Sequence, residues 1–125
     1  MNRKFRWLPP LLWGLLIAVL SLIPGGTGSL QLFGIPYADK IGHFVMYAIW
    51  AFLIFHSFDG HPNVSPSRAF WLTIILGTVV GILLEYGQYA MTLGRTFETA
   101  DMLLNGLGSI CGSLAGRVLK LNFYK

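Results

Sequence analysis

The chain has 125 residues, of which 54% are hydrophobic and only 11% charged, with a formal net charge of +4 and a mean hydropathy of +0.62. Soluble domains carry about 25% charged residues, so this composition excludes a water-soluble globule and indicates an integral membrane protein with room for one compact helical bundle. The basic excess comes with no nucleic-acid-binding motif, and the single cysteine, Cys111, excludes an internal disulfide framework and a multi-cysteine zinc site.

Four apolar segments follow one another. The first runs from about Trp7 to Ile23 and stops at Pro24-Gly25-Gly26. Pro9 and Pro10 fall in its first turn, where a missing N–H is tolerated. Its basic start, Asn2-Arg3-Lys4-Phe5-Arg6, would also suit the n-region of a signal peptide, but no clear Ala-x-Ala site follows, so a retained helix is expected. The second segment runs from about Asp39 to Phe58, the third from Arg68 to Thr92, and the fourth from Thr99 to Leu121. The last three reach the roughly 20 residues that a membrane helix needs.

The first connection, Pro24 to Ala38, has no Lys or Arg, and the third, Leu93 to Glu98, has only Arg95. The two ends carry Arg3, Lys4 and Arg6, and Arg117, Lys120 and Lys125. Basic residues favour the cytoplasmic side. The expected fold is therefore all-α: a polytopic membrane protein, a bundle of four transmembrane helices with both termini cytoplasmic, residues 1–125 forming one domain. The start of the second helix, the end of the third and the start of the fourth then all face outward.

Those ends carry the polar residues. Asp39, His43 and Tyr47 recur every four residues and share one face of the second helix, with Lys40 beside them. A helix cap and a snorkelling lysine account for Asp39 and Lys40. They do not account for His43, roughly 6 Å into the span. Glu85 and Gln88 lie one turn apart on the third helix, with Glu85 roughly 10 Å inside its outer end. A carboxylate there is neutral or paired. It is either an ion-pair partner of Arg95 or Lys40 or a buried acid, base or head-group ligand.

Asp101 and Asn105 share a face of the fourth helix, Thr99 suits its cap, and Glu98 suits its dipole. Arg95 is a fixed cation in an outward loop. Its fork suits a phosphate or carboxylate, or pairs with Asp101 or Glu98.

Gly77 and Gly81 on the third helix, and Gly108, Gly112 and Gly116 on the fourth, repeat every four residues and mark close helix packing. Cys111 and Ala115 are expected to broaden that face. His56, Asp59 and His61 match no strong metal-ligand spacing and read as solvated residues of the inner end; no metal site is expected, and no cofactor can be named.

The ordered pattern Asp39-Lys40-x-x-His43-Phe44-x-x-Tyr47, Glu85-x-x-Gln88, then Arg95-x-Phe97-Glu98-x-x-Asp101-x-x-x-Asn105-x-x-Gly108-x-x-x-Gly112 resembles the VanZ-like family, from about the first span to Gly116. The resemblance implies a small multi-helix protein of the bacterial cytoplasmic membrane. The founding member is associated with resistance to teicoplanin, a glycopeptide that binds cell-wall precursors outside the membrane; that role does not transfer by resemblance. The family's recurrent polar positions map onto Asp39, Lys40, His43, Glu85, Gln88, Arg95, Asp101 and Asn105, whereas Glu98 is characteristic of only part of it.

Three functions compete. In the leading one, Arg95, Lys40 and His43 hold the phosphate of an anionic lipid or lipid-linked envelope precursor, Glu85, Gln88 and Asn105 order the site with Tyr47 and Glu98 beside them, and the glycine-rich fourth span admits the tail. In the second, His43 with Asp39, Glu85 or Asp101 performs acid–base chemistry on such a head group; no Ser or Cys nucleophile signature is present. In the third, the polar set only locks helices together and the activity lies in contacts with a second copy or another membrane protein. A pore is disfavoured because the inner halves of the spans are almost wholly apolar. The expected partners are membrane lipids, with no nucleic acid.

Overall fold

The computed structural model describes residues 2–22, 38–59, 61–91 and 99–119, apart from the side chains of 38 and 39. Its elements are α1 (Leu8–Leu22), α2 (Ala38–Phe58), α3 (Pro66–Ala90) and α4 (Thr99–Leu119). All four are long and apolar enough to cross a membrane. A short 3₁₀ turn at Arg3–Phe5 precedes α1. With it the first span runs from Arg3 to Leu22, 20 residues, which removes the shortness suggested by the sequence pattern.

The two prolines of α1 shape its packing. Pro10 has no N–H to offer the Arg6 carbonyl four residues back. The Ser57 hydroxyl of α2 donates to that carbonyl instead, at 2.7 Å. One turn on, the Trp50 indole N–H donates to the Pro10 carbonyl at 2.8 Å, and the Trp13 indole N–H donates to the Met46 carbonyl at 2.9 Å. The first half of α1 is thus tied to α2 by side-chain bonds to main-chain carbonyls. Near the other end of α1, Gln88 of α3 donates to the Ser21 carbonyl at 2.6 Å. That carbonyl is one of the last four of the helix, which have no intrahelical partner.

α2 and α4 make the most extensive contact in the bundle. Glycine on α4 is the cause. A Cβ at Gly108 would come within 2.5 Å of the Phe44 carbonyl oxygen, one at Gly112 would collide with the Ala48 carbonyl, and one at Gly116 would meet the Phe55 ring at 2.8 Å. α3 closes on α4 in the same way: a Cβ at Gly77 would overlap the Ser109 hydroxyl. Ser109 turns its own proton back to the Asn105 carbonyl at 2.9 Å. Ser113 reaches across to the Phe70 carbonyl of α3 at 3.2 Å.

Around the packed seam, Ile17, Tyr47, Trp50 and Ile54 form the apolar core. Leu11, Leu15, Val79, Leu83, Leu107 and Leu114 are exposed, as lipid-facing side chains of a membrane bundle would be.

Three sequence expectations change here. Cys111 is exposed, because the packed face of α4 runs through 101, 105, 108, 109, 112, 113 and 116 and passes it by. His56 is not a solvated residue. α2 continues to Phe58, and His56 is buried edge-on against the rings of Phe52 (4.6 Å) and Phe55 (5.7 Å). The start of α3 also lies earlier than Arg68. Ser65 caps it by accepting from the Arg68 N–H, and Pro66 occupies its first turn.

Candidate functional site

The start of α2, the start of α4, the end of α3 and the end of α1 meet at one end of the bundle. The contacts of Lys40 with Asp101 and of Gln88 with Ser21 fix this convergence. Lys40 and His43 lie in the first turns of α2, three residues apart and on adjoining faces. Asp101 lies in the first turn of α4, where the helix dipole favours an acid. Lys40 Nζ is 3.4 Å from Asp101 Oδ1, and His43 Nε2 is 3.8 Å from Asp101 Oδ2. The two carboxylate oxygens thus serve two different donors on α2.

One turn deeper, His43 Nδ1 lies 3.0 Å from Asn105 Oδ1. His43 and Asn105 are both buried, whereas the Lys40 side chain retains 27% exposure. Where His43 carries its proton or protons governs the geometry; a neutral ring protonated on Nδ1 also donates to Asn105 Oδ1. A protonated imidazole donates to Asn105 and faces Asp101 with a second N–H. A neutral ring with its proton on Nε2 needs the Asn105 amide turned so that its NH₂ donates to Nδ1. These last two arrangements leave Asp101 next to an N–H.

Below this cluster Tyr47 is 2% exposed and stands edge-on to Trp50 at 5.9 Å. Glu85, also buried, lies within electrostatic range of the Tyr47 hydroxyl. Gly81 of α3 admits both neighbours: a Cβ there would sit 3.1 Å from the Asn105 side chain and 3.3 Å from the Tyr47 ring. Its role is specific to the site, because it lets α3 close over the two residues that flank His43.

On its other side His43 borders a cavity of about 280 Å³ between the second half of α1 and the first half of α2. The walls are Ile17, Leu20 and Ser21 on α1 and Gly42, Val45 and Met46 on α2, with Tyr47 beside His43. The cavity is almost wholly apolar and partly open to its surroundings. His43 is thus the point where an apolar slot and a buried charged cluster meet.

The structure brings Lys40, His43, Asp101 and Asn105 into one network and places Tyr47 and Glu85 directly beneath it. Gln88, grouped with the ligand-binding positions from sequence, donates from its amide to the end of α1. Arg95, Glu98 and the side chain of Asp39 lie outside the described residues. Among the described residues no group of three or more His, Cys, Asp or Glu side chains is placed to hold a metal ion.

Ile17, Ser21, Gly42 and Val45 were not singled out by sequence. Gly42 had a readable signal, an isolated glycine inside a membrane helix and outside any four-residue repeat; the α1 residues had none.

The sequence model of the VanZ/LLP1 family matches residues 5–120. The chain belongs to the VanZ/LLP1 family. Comparison with curated proteins and with solved structures gives no match. The VanZ/LLP1 match spans all four helices, so the polar end, the slot and the glycine seam all lie within the family region.

Proposed function

We propose that this VanZ/LLP1 protein binds an anionic lipid or a lipid-linked envelope precursor at the outer face of the bacterial cytoplasmic membrane. One observation carries the reading: His43 borders an apolar slot on one side and contacts Asp101 and Asn105 on the other, with Lys40 beside it. An amphiphile needs those two surfaces side by side, a dry wall for its tail and donors for its head. Charged side chains within membrane spans are costly and mark ligand or ion sites by default. Lys40 would supply the head group with a point charge, as lysine does in many phosphate sites. His43 would add a donor when protonated.

The test is native mass spectrometry of the detergent-purified protein with its lipids identified, for wild type, Lys40→Ala and Arg95→Ala. An anionic lipid retained by wild type and lost from the variants supports the reading. Retention unchanged in both correctly folded variants would falsify it.

A second reading rests on the 3.8 Å approach of Asp101 Oδ2 to His43 Nε2. A carboxylate beside an imidazole is a means of orienting a general base, which would activate water against a head-group ester. Lipid extracts incubated with wild type and with His43→Ala would then differ in products, and identical profiles would count against turnover.

A further inference from the structure

α1 changes neighbours along its length. Its first half is tied to α2 by the bonds among Arg6, Pro10, Trp13, Met46, Trp50 and Ser57, and a Cβ at Gly14 would stand 3.1 Å from the Trp50 ring. Its end is tied to α3 instead. Gln88 donates to the Ser21 carbonyl at 2.6 Å, and a Cβ at Gly87 would meet Leu22 at 3.7 Å, an ordinary contact. A helix that passes from one neighbour to another opens a wedge beside the one it leaves. The cavity of about 280 Å³ is that wedge: its walls come from residues 17–21 of α1 and 42–47 of α2, and from no other helix. Those walls rise only roughly 6 to 8 Å at 1.5 Å per residue.

The back and the mouth of the wedge differ. Ile17, His43 and Tyr47 are buried at the back, whereas Leu20 and Val45, one on each helix, are exposed. The mouth therefore opens on the flank of the bundle between two apolar side chains. Both belong to helices that cross the membrane, so hydrocarbon borders it. The other seams around His43 are closed. A Cβ at Gly108 would come within 2.5 Å of the Phe44 carbonyl oxygen across α2 and α4. One at Gly81 would stand 3.1 Å from Asn105 on α4 and 3.3 Å from Tyr47 on α2. Gln88 bridges α3 to α1. Among the described residues, the seam between α1 and α2 is the lateral one left open beside His43.

We infer that a bilayer lipid enters the bundle sideways between α1 and α2, seating a short segment of one acyl chain against Ile17, His43 and Tyr47. Diffusion within the membrane, and not through the aqueous phase, then delivers the ligand to the polar cluster. This rests on the lipid reading above and adds the route and the seat of the chain. Lipid tails are as apolar as leucine, so entry gains no hydrophobic transfer energy. What it gains is contact with walls that otherwise face a void. The rest of the chain stays in the bilayer, because the wedge is too short to hold it.

The experiment uses the full chain in phosphatidylcholine nanodiscs doped with phosphatidate, or with phosphatidylcholine, carrying a diazirine in one acyl chain. After irradiation the labelled residues are located by peptide mass spectrometry. Leu83, exposed on α3, reports ordinary lipid contact. Ile17 and Tyr47 are buried, so a chain labels them only from inside the wedge. Both are expected to be labelled, severalfold more by the phosphatidate probe. Gly42→Leu puts a side chain on the wedge wall and replaces a poor helix former by a good one. It should abolish labelling of Ile17 and Tyr47 and leave Leu83 labelled. Leu20→Trp, at the exposed mouth, gives the same readout should Gly42→Leu fail to fold.

Labelling confined to Leu83 and other exposed positions would overturn lateral entry, and a second copy filling the wedge would give that pattern. Labelling of Ile17 and Tyr47 that persists in both variants would overturn it too. In either case, phosphatidate retained over phosphatidylcholine would leave the anionic-lipid reading standing. Equal labelling of Ile17 and Tyr47 by both probes would support lateral entry and remove the anionic preference.

Discussion

Asp101 is the residue on which a ligand site and a structural lock give opposite predictions. Its carboxylate is shared between Lys40 and His43, and it also competes with any anion that approaches them. Replacing it with asparagine keeps the shape and removes the charge. A lock would only lose stability. A binding site would lose some stability and gain affinity for an anionic lipid, because the competing charge is gone. We expect Asp101→Asn to lower the thermal midpoint in detergent while strengthening binding of an anionic lipid such as phosphatidate severalfold; a loss of both would assign the cluster to helix locking.

Asn105 provides the complementary case. Asn105→Leu removes the neighbour of His43 Nδ1 in a buried setting and should cost about 1–3 kcal/mol, toward the lower limit because hydrogen bonds between membrane helices average about 0.6 kcal/mol. A melting curve coincident with wild type would show that the 3.0 Å contact contributes nothing. The sequence put Lys40, His43, Asp101 and Asn105 at one depth for a physical reason: membrane interiors reject such groups, and spacings of three and four residues put them on shared helix faces. That they meet in space was not readable. Ser57, Ser109 and Ser113 were not readable. A hydroxyl in a helix can bond to its own i−4 carbonyl, as Ser109 does to Asn105, so its presence says nothing about where a neighbour stands.

At the scale of elements, the glycines of α4 are unequal, and spacing alone could not rank them. Gly108, Gly112 and Gly116 repeat every four residues, yet only the structure shows what each one faces. A Cβ at Gly112 meets backbone of Ala48, which has no rotamer to change, while one at Gly106 would sit 3.8 Å from the Thr78 hydroxyl, an ordinary contact. Gly112→Ala should therefore cost about 1–3 kcal/mol through overpacking. Gly106→Ala should be neutral or stabilise by up to about 1 kcal/mol, since glycine is a poor helix former. Unfolding both variants in the same detergent checks the pair; equal effects would mean that α2 and α4 are not in backbone contact at that level.

The pairing of α1 with α2 was similarly hidden. Pro10 was legible as a residue of the first turn, but nothing in the sequence says that the carbonyl it leaves unsatisfied is met by Ser57, 51 residues away. Helix existence followed from composition, whereas helix neighbours came from long-range complementarity that a single chain does not display.

At the scale of the whole molecule, one property decides which lipids reach the cluster. Four membrane-crossing helices place both chain ends on one side, and the polar end with the slot on the other. We propose that the basic residues Arg3, Lys4 and Arg6, with Arg117, Lys120 and Lys125 at the far end, hold the chain ends in the cytoplasm, as the positive-inside rule expects. The cluster would then face outward. The signal is lopsided enough to predict labelling: the segment from Pro24 to Tyr37 contains no Lys or Arg, while the connection between α2 and α3 is followed at once by Arg68. In a variant with Cys111 replaced by Ala, a cysteine at position 27 (Thr27→Cys) should react with a membrane-impermeant maleimide in intact cells. A cysteine at position 61 (His61→Cys) should react only after permeabilisation. The reverse pattern would turn the bundle over. Lys40 and His43 would then meet the lipids of the inner leaflet, and an envelope precursor displayed outside the membrane would no longer be available to them, whatever the slot can hold.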